Sequence, residues 1–432
     1  MIVKTVSANF AIQAITFATS VLTARMLGPV GRGELALVLL YPQLVAGLTL
    51  MGVDRAVAVL SGRGELVRPI AAISKLVLLL TIPAMAAGYI ALHWRLTDPH
   101  IAGLSTLYLA YVPAVYFFML VVFLFNGTGD FVRFNLVRLG FYVVNLILLI
   151  SIWAASPSAS LDWVVMANLA AVYGGLALAT WLLRGFQRSG GTGIVAASQT
   201  SDVRRTLRLA LVFAIPAALA QFSISAYQIV IEHHMGAGPL GLFVVYYSYS
   251  RLFSPVGSAI GSHLFHLGIV GGNRDIALTF RRSLIIYFGC SLPLWLIAGW
   301  LIPLLFGRGF VVNPWVVGLL FVSGPFTLSS ATLAEFLNGR QKVGANTGGL
   351  VIYLAALVVL GWWLVPQYGL VGMALAMLVA DILRCVYIIR QVGRDTQQHM
   401  VDFLWVTWTD LAALAIAGKT ALLRFRVWQS TF

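Results

Sequence analysis

The sequence predicts an all-α polytopic membrane protein: about twelve transmembrane helices in two parallel six-helix repeats around a central cavity. Three observations carry that prediction. Apolar residues make up 60% of the 432 and charged residues only 10%, where a soluble domain has about 45–50% and about 25%. Apolar runs of about 20 residues, the length that crosses a bilayer, alternate with Gly, Pro and Asp punctuation along the chain. A turn near the start, Gly28-Pro29-Val30-Gly31, recurs as Gly238-Pro239-Leu240-Gly241.

The elements follow in order. The first span, 6–26, carries no charge from Thr5 to Ala24, and Gly28, Pro29, Gly31 and Gly33 then disfavour further helix. Lys4 precedes a run longer than a signal core and no small-residue cleavage site follows, so the segment reads as uncleaved. Spans two to six occupy 35–53, 70–92, 103–126, 134–154 and 161–183. They are separated at Gly62-Arg63-Gly64, Asp98-Pro99, Gly127-Thr128-Gly129 and Ser156-Pro157-Ser158. Spans seven to twelve occupy 209–231, 239–261, 283–306, 314–337, 344–365 and 369–391. The division is therefore a bundle over 1–184, a cytoplasmic linker over 185–208, a second bundle over 209–393 and a tail over 394–432. In the tail, Phe403 to Gly418 is short and carries Asp410, with Trp405, Trp408, Trp428, Lys419, Arg424 and Arg426 around it. That pattern reads as an amphipathic helix at the cytoplasmic interface, with a thirteenth span as the alternative.

The net charge of +14 is topological. Most of the 28 Lys and Arg residues fall on one side of this arrangement, including Arg55, Arg63, Arg68, Lys75 and the linker arginines. The other side holds Arg25, Arg32, Arg95 and Arg308, and Arg251 lies within span eight. The bias places both termini in the cytoplasm and removes nucleic acid as a partner. Cys290 and Cys385 each lie inside a span, giving neither a disulfide framework nor a metal spacing. No cofactor is implied.

The halves repeat. Shifting spans three to six by the 210 positions between Gly28 and Gly238 lands close to spans nine to twelve, and Asn126-Gly127 recurs as Asn338-Gly339. Six spans per half makes the repeats parallel. At that offset Arg25 meets Met235 and has no cationic counterpart.

Four stretches carry a family resemblance. Ala24-Arg25-Met26-Leu27-Gly28-Pro29 leading to Gly33-Glu34-Leu35 resembles the first loop of polysaccharide and O-antigen flippases, of the multidrug/oligosaccharidyl-lipid/polysaccharide exporter superfamily. Leu304-Leu305-Phe306-Gly307-Arg308-Gly309-Phe310 and Pro366-Gln367-Tyr368-Gly369-Leu370-Val371-Gly372-Met373-Ala374-Leu375-Ala376 resemble two later motifs of that family. Phe125-Asn126-Gly127 through Asn135-Leu136-Val137-Arg138 fits its span four to five connector. The resemblance implies a non-enzymatic flippase of the bacterial inner membrane. Its substrate would be an undecaprenyl-diphosphate-linked oligosaccharide, moved by alternating access and coupled to a proton or sodium gradient. Membrane lipids and a polysaccharide polymerase are the further partners implied. The chain departs from the family at Ser225-Ala226-Tyr227-Gln228, where Tyr227 stands in place of an acidic residue and Glu232 follows a turn later.

A lipid diphosphate needs cations facing a wet interior, and Arg suits phosphate through paired charge-assisted hydrogen bonds. Arg251, midway along span eight, is the first candidate; the alternative is a structural partner to a carbonyl or carboxylate. Arg25, Arg55 and Lys75 are further substrate-binding candidates, each also able to snorkel. Tyr247 shares a helix face with Arg251 at i+4, and Tyr246, Tyr249, Gln221 and Tyr227 extend a possible sugar path. Asp381, the deepest carboxylate, and Glu232 are the ion-coupling candidates. The alternative for Asp381 is an intrahelical pair with Arg384 at i+3.

Three rivals remain open. A membrane polymerase or ligase would want a nucleophile–base constellation on a large external loop, which this pattern lacks. A drug exporter of the same superfamily would favour carboxylates over arginines. A peptidoglycan-precursor flippase would favour extra C-terminal spans.

Overall fold

The computed structural model describes residues 2–50, 52–63, 69–96, 98–156, 158–188, 199–270 and 276–404. The described residues are helical almost throughout, and nine of the helices are long and apolar enough to cross a membrane. Two of those nine are folded pairs. Helix α1 (Ile2–Leu50) turns at Gly28 (φ 67°, ψ −175°) and so holds spans one and two, while α2 (Val53–Gly62) continues span two beyond Gly52. Spans three to seven are α3 (Pro69–Arg95), α4 with α5 (Pro99–Tyr108, Tyr111–Gly127), α6 (Phe131–Ala155), α7 (Leu161–Arg188) and α8 (Gln199–Met235). Span eight is broken into α9 (Ala237–Ser250) and α10 (Ser254–Val270). Spans nine and ten are α11 (Ile276–Phe306) and α12 (Pro314–Gly339), and α13 (Val343–Thr396) folds at Gly369 (φ 57°) into spans eleven and twelve.

The spans are longer than expected, and α7 and α8 reach into the 185–208 connector from both sides. After Thr396 a left-handed Gln397 ends span twelve, and α14 (Met400–Leu404) folds back. Phe403 is buried against Phe280, and Arg281 Nη1 donates to the Asp402 carbonyl at 2.6 Å. The interfacial helix expected over 403–418 lies almost wholly outside the described residues, as do Arg68 and Arg274.

Two ends can be told apart. The turn end carries Gly28, Gly236, Gly307 and Gly369; the linker end carries Arg63, Arg188 and Thr396. Exposed Trp94, Trp163, Trp300, Trp315 and Tyr368 all lie toward the turn end, as an aromatic belt at a bilayer surface requires.

The core is joined at one end and divided at the other. At the turn end a single cluster of buried side chains runs from Leu35 and Tyr41 in the first bundle to Leu240, Phe306 and Met373 in the second. At the linker end there are two clusters, one around Phe125 and Leu183, the other around Phe280 and Phe336. Lipid tails are as apolar as leucine, so close packing rather than water exclusion must hold the joined end. Glycines make that packing possible. A Cβ on Gly33 would stand 1.8 Å from the Ala237 carbonyl oxygen, and one on Gly241 would stand 1.9 Å from that of Pro29.

These contacts correct the register of the repeat. Gly28 matches Gly236 in conformation (φ 67°, ψ −175° against φ 80°, ψ −171°), and the Gly33–Ala237 contact mirrors Gly241–Pro29. Gln13 Nε2 donates to the Arg251 carbonyl at 3.4 Å, and Gln221 Nε2 donates to the Gln43 carbonyl at the same distance. All three pairs fix an offset of 208 (Gln13 to Gln221, Gln43 to Arg251), not the 210 given by the Gly-Pro tetrapeptides. The tetrapeptides look alike, but the left-handed glycine that makes the turn precedes the second of them by two residues. Arg25 therefore matches His233 rather than Met235.

Candidate functional site

Arg251 sits where span eight breaks. It caps α9, and the next helix begins with Ser254 and Pro255, whose ring can lead a helix but not sit inside one. The break turns the guanidinium into the second bundle, where the residue is only 8% exposed. Its Nη2 donates to Thr327 Oγ1 at 2.9 Å and lies 3.9 Å from Asp381 Oδ2, and its carbon stands 5.0 Å above the Tyr247 ring. Asp381 is fully buried. Tyr353 and Arg384 lie within electrostatic range of it.

The cluster is incompletely satisfied. Among the described residues, Arg251 Nε and Nη1, both Asp381 carboxylate oxygens and Ser323 Oγ are buried without a well-formed hydrogen bond, although Thr327 and Ser323 lie close to the carboxylate. An unpaired buried polar atom costs about 1–3 kcal/mol, so this polar cluster holds donors and acceptors that its own side chains do not fully use. Its charges are two guanidiniums against one carboxylate, an excess that repels a metal cation. The repeat adds a second contrast: at offset 208, Gln43 and Tyr173 stand where the second bundle has Arg251 and Asp381. The charged chamber belongs to the second bundle alone.

Several expectations are corrected here. Asp381 pairs with Arg251 across helices, not with Arg384 along its own, because the break in span eight brings the guanidinium to it. Tyr246 and Tyr249 are buried and spend their hydroxyls on the Val311 and Leu294 carbonyls, which removes them from a sugar path. Tyr227 is buried as well and its hydroxyl accepts from Gln228 Nε2 at 3.0 Å, while Tyr247, ring centroid 5.2 Å away, keeps partial exposure.

Arg25 is exposed and far from that chamber along the bundle. Its Nε and Nη2 donate at 2.6 Å to the Leu305 and Leu304 carbonyls, the last turn of α11. A cation on the free carbonyls of a helix C-terminus is a cap, here clamping the first bundle to the second. Its mate in the repeat, His233, stacks on Trp362 at 4.8 Å. Arg25→Ala is expected to lower stability by no more than about 1 kcal/mol, seen as a small drop in thermal midpoint in detergent; a collapse of the fold would contradict a simple cap. Glu232 is half-buried within electrostatic range of Arg95. Arg55 and Lys75 are exposed on α2 and α3 of the first bundle, and neither is among the partners of Arg251.

Arg32 was not singled out in the sequence. It lies at the start of span two, half-buried by area, with Nε buried and unpaired and Tyr227 in electrostatic range. The succession Arg32, Tyr227, Tyr247, Arg251 crosses from the first bundle to the second. The signal available was a cation directly after the turn, where span two begins.

No family model matches the sequence, and no curated protein matches it. Solved structures do match. The lipid II flippase MurJ in an inward closed conformation aligns with TM-score 0.71 at 12% identity, over 96% of this chain and 92% of that one. An inward-facing multidrug resistance MATE family transporter of the MOP superfamily aligns with TM-score 0.64 at 14% identity, over 89% of this chain and 94% of that one. A MOP superfamily transporter from Pyrococcus furiosus with reversed binding-pocket polarity aligns with TM-score 0.64 at 15% identity, over 92% and 95%. At these identities the likeness shows the fold alone, which this chain shares with those solved structures.

Proposed function

We propose that this chain is a flippase for undecaprenyl-diphosphate-linked oligosaccharide, working by alternating access in a bacterial inner membrane. The observation that carries the reading is the core itself, one cluster across both bundles at the turn end and two at the linker end, where span seven of the second bundle packs on the first. Two bundles hinged in this way open a polar interior to one side at a time. In the succession from Arg32 to Arg251, the two arginines supply guanidiniums for phosphate and the partly exposed Tyr247 an aromatic face for glycan. Positive-inside bias places the linker end in the cytoplasm, where such a lipid is made.

Coupling is assigned to Asp381. Protonating it removes the charge that holds Arg251 in the second bundle and frees the guanidinium toward Tyr247. Glu232, beside Arg95 at the turn end, is the release-side carboxylate in this scheme.

The fold likeness to MurJ supports a second reading, a peptidoglycan precursor as cargo. Proteoliposomes separate the two. Vesicles loaded with either lipid-linked glycan are scored by the glycan reached by an external lectin, with and without a proton gradient. The reading expects gradient-dependent exposure of the oligosaccharide lipid, and a loss of about tenfold or more in Arg32→Gln with folded protein unchanged, the share one charged contact contributes. Transport of lipid II alone would move the assignment to the second reading, and transport of neither would overturn both.

A further inference from the structure

We propose that the crevice between α2, α3 and α8 near the linker end is a binding site for an anionic glycerophospholipid. It is a cavity of about 310 Å³ lined by Val53, Leu80, Leu207, Ala210 and Leu211, with Arg204 and Arg208. None of these residues belongs to the succession from Arg32 to Arg251, so the proposal stands apart from the transport reading.

The local structure makes the crevice. Gly52, at φ 73°, breaks span two immediately before Val53 and presses against Phe213 of α8, where a Cβ would stand 2.5 Å from the phenylalanine. Beyond that contact α2 still packs on α8, and the crevice lies between this pair and α3. On α8, Arg204, Leu207, Arg208 and Leu211 follow i, i+3, i+4, i+7 and share one face. From Arg204 to Leu211 the face is roughly 10 Å deep. Charge lies at its linker end and hydrocarbon below. Leu211 is 69% exposed, so the crevice opens sideways into the bilayer.

Those features select the occupant. A space of this size has room for roughly ten waters, yet its deep wall offers them only Val53, Leu80, Ala210 and Leu211. A lipid chain fills such a wall with close contacts, which water cannot supply. At headgroup level the described lining residues carry two exposed guanidiniums and no carboxylate among them. Asp54, next along α2, is half-buried beside Arg55 and outside the lining. A phosphodiester without a choline or ethanolamine cation suits that pair best. Interfacial arginines each favour an anionic headgroup about fivefold, so two imply a preference of roughly 30-fold over a zwitterionic lipid.

The test uses the full chain in nanodiscs of phosphatidylcholine doped with a diazirine-acyl phosphatidylglycerol. Photolabelling is expected on peptides containing Val53, Leu80 or Leu207–Leu211, displaced by phosphatidylglycerol at roughly 30-fold lower mole fraction than by extra phosphatidylcholine. Arg204→Gln with Arg208→Gln should abolish that preference. Leu207→Trp, which fills the crevice and keeps both charges, should abolish the labelling. Arg63→Gln with Arg184→Gln, the same charge change at the same end, should leave both intact. Equal competition by both lipids, retained preference in Arg204→Gln with Arg208→Gln, or labelling confined to other helices would overturn the proposal. Displacement by undecaprenyl phosphate but not by phosphatidylglycerol would overturn it too, assigning the crevice to a polyprenyl chain. If the arginine variant does not fold, Leu207→Trp and the competition in the unaltered protein still decide.

Discussion

Asp381→Asn is expected to destabilise the protein more than Arg251→Met, although the two residues are partners in one ion pair. Removing the carboxylate leaves Arg251 and Arg384 without the fully buried counter-charge that lies in range of both. Breaking a buried pair from one side costs about 3–5 kcal/mol. Removing Arg251 leaves Asp381 with Arg384 still in electrostatic range, and Thr327 and Ser323 close by. The expected cost there is about 1–3 kcal/mol, that of an incompletely satisfied buried group. The combination Arg251→Met with Asp381→Leu should recover most of the loss, because an apolar replacement of a buried pair is often neutral. Thermal midpoints of detergent-purified protein, followed by size exclusion, rank the three variants. Equal losses for both single variants would mean that Arg384 does not share the carboxylate. Under the proposed function the double variant folds but does not transport, which separates the pair's structural part from its coupling part.

Gly33→Ala and Gly241→Ala are expected to open the turn end. Each new methyl would sit within 2 Å of a carbonyl oxygen on the opposite bundle, Ala237 in one case and Pro29 in the other. Backbone oxygens cannot rotate away, so the bundles must part by about 1 Å or more, and overpacking of this kind costs about 1–3 kcal/mol. That energy falls on the closed turn end alone and shifts the equilibrium about 5–150-fold toward its opening. Maleimide labelling of Leu240→Cys, buried at this crossing, should rise accordingly in a background with Cys290 and Cys385 replaced. The two glycines face one gap, so the second substitution should add little to the first. Labelling that stays at background in both variants would rule out the crossing as the element that holds this end shut.

Both predictions rest on features of different legibility. The left-handed turn at Gly28 was readable, because glycines around a proline after an uncharged apolar run leave a helix no continuation. The face shared by Tyr247 and Arg251 was also readable, since an i+4 spacing survives as far as the helix does. The partner of Asp381 was not. A sequence offers the i+3 neighbour Arg384, while the pairing was made by a break in another span that swings Arg251 across the bundle. Arg25 shows the same limit: a cation near a helix end reads equally as a ligand, an anchor or a cap, and the distances to Leu304 and Leu305 decide for the cap.

The repeat divides the two sources of information most cleanly. Composition and apolar run length determined that this is a many-spanning helical membrane protein, because crossing a bilayer demands about 20 apolar residues wherever the helix later packs, and recurring turn motifs pointed to a repeat. Which residues correspond was left to tertiary structure. Gly33 against Ala237, Gly241 against Pro29, and Gln13 and Gln221 each on the other bundle's carbonyl set the offset at 208. Close approach of two backbones is a property of the pair, and neither strand of sequence carries it alone. With that register, Arg25 acquires His233 as its mate, and the asymmetry of the molecule moves from the turn to the Arg251–Asp381 chamber.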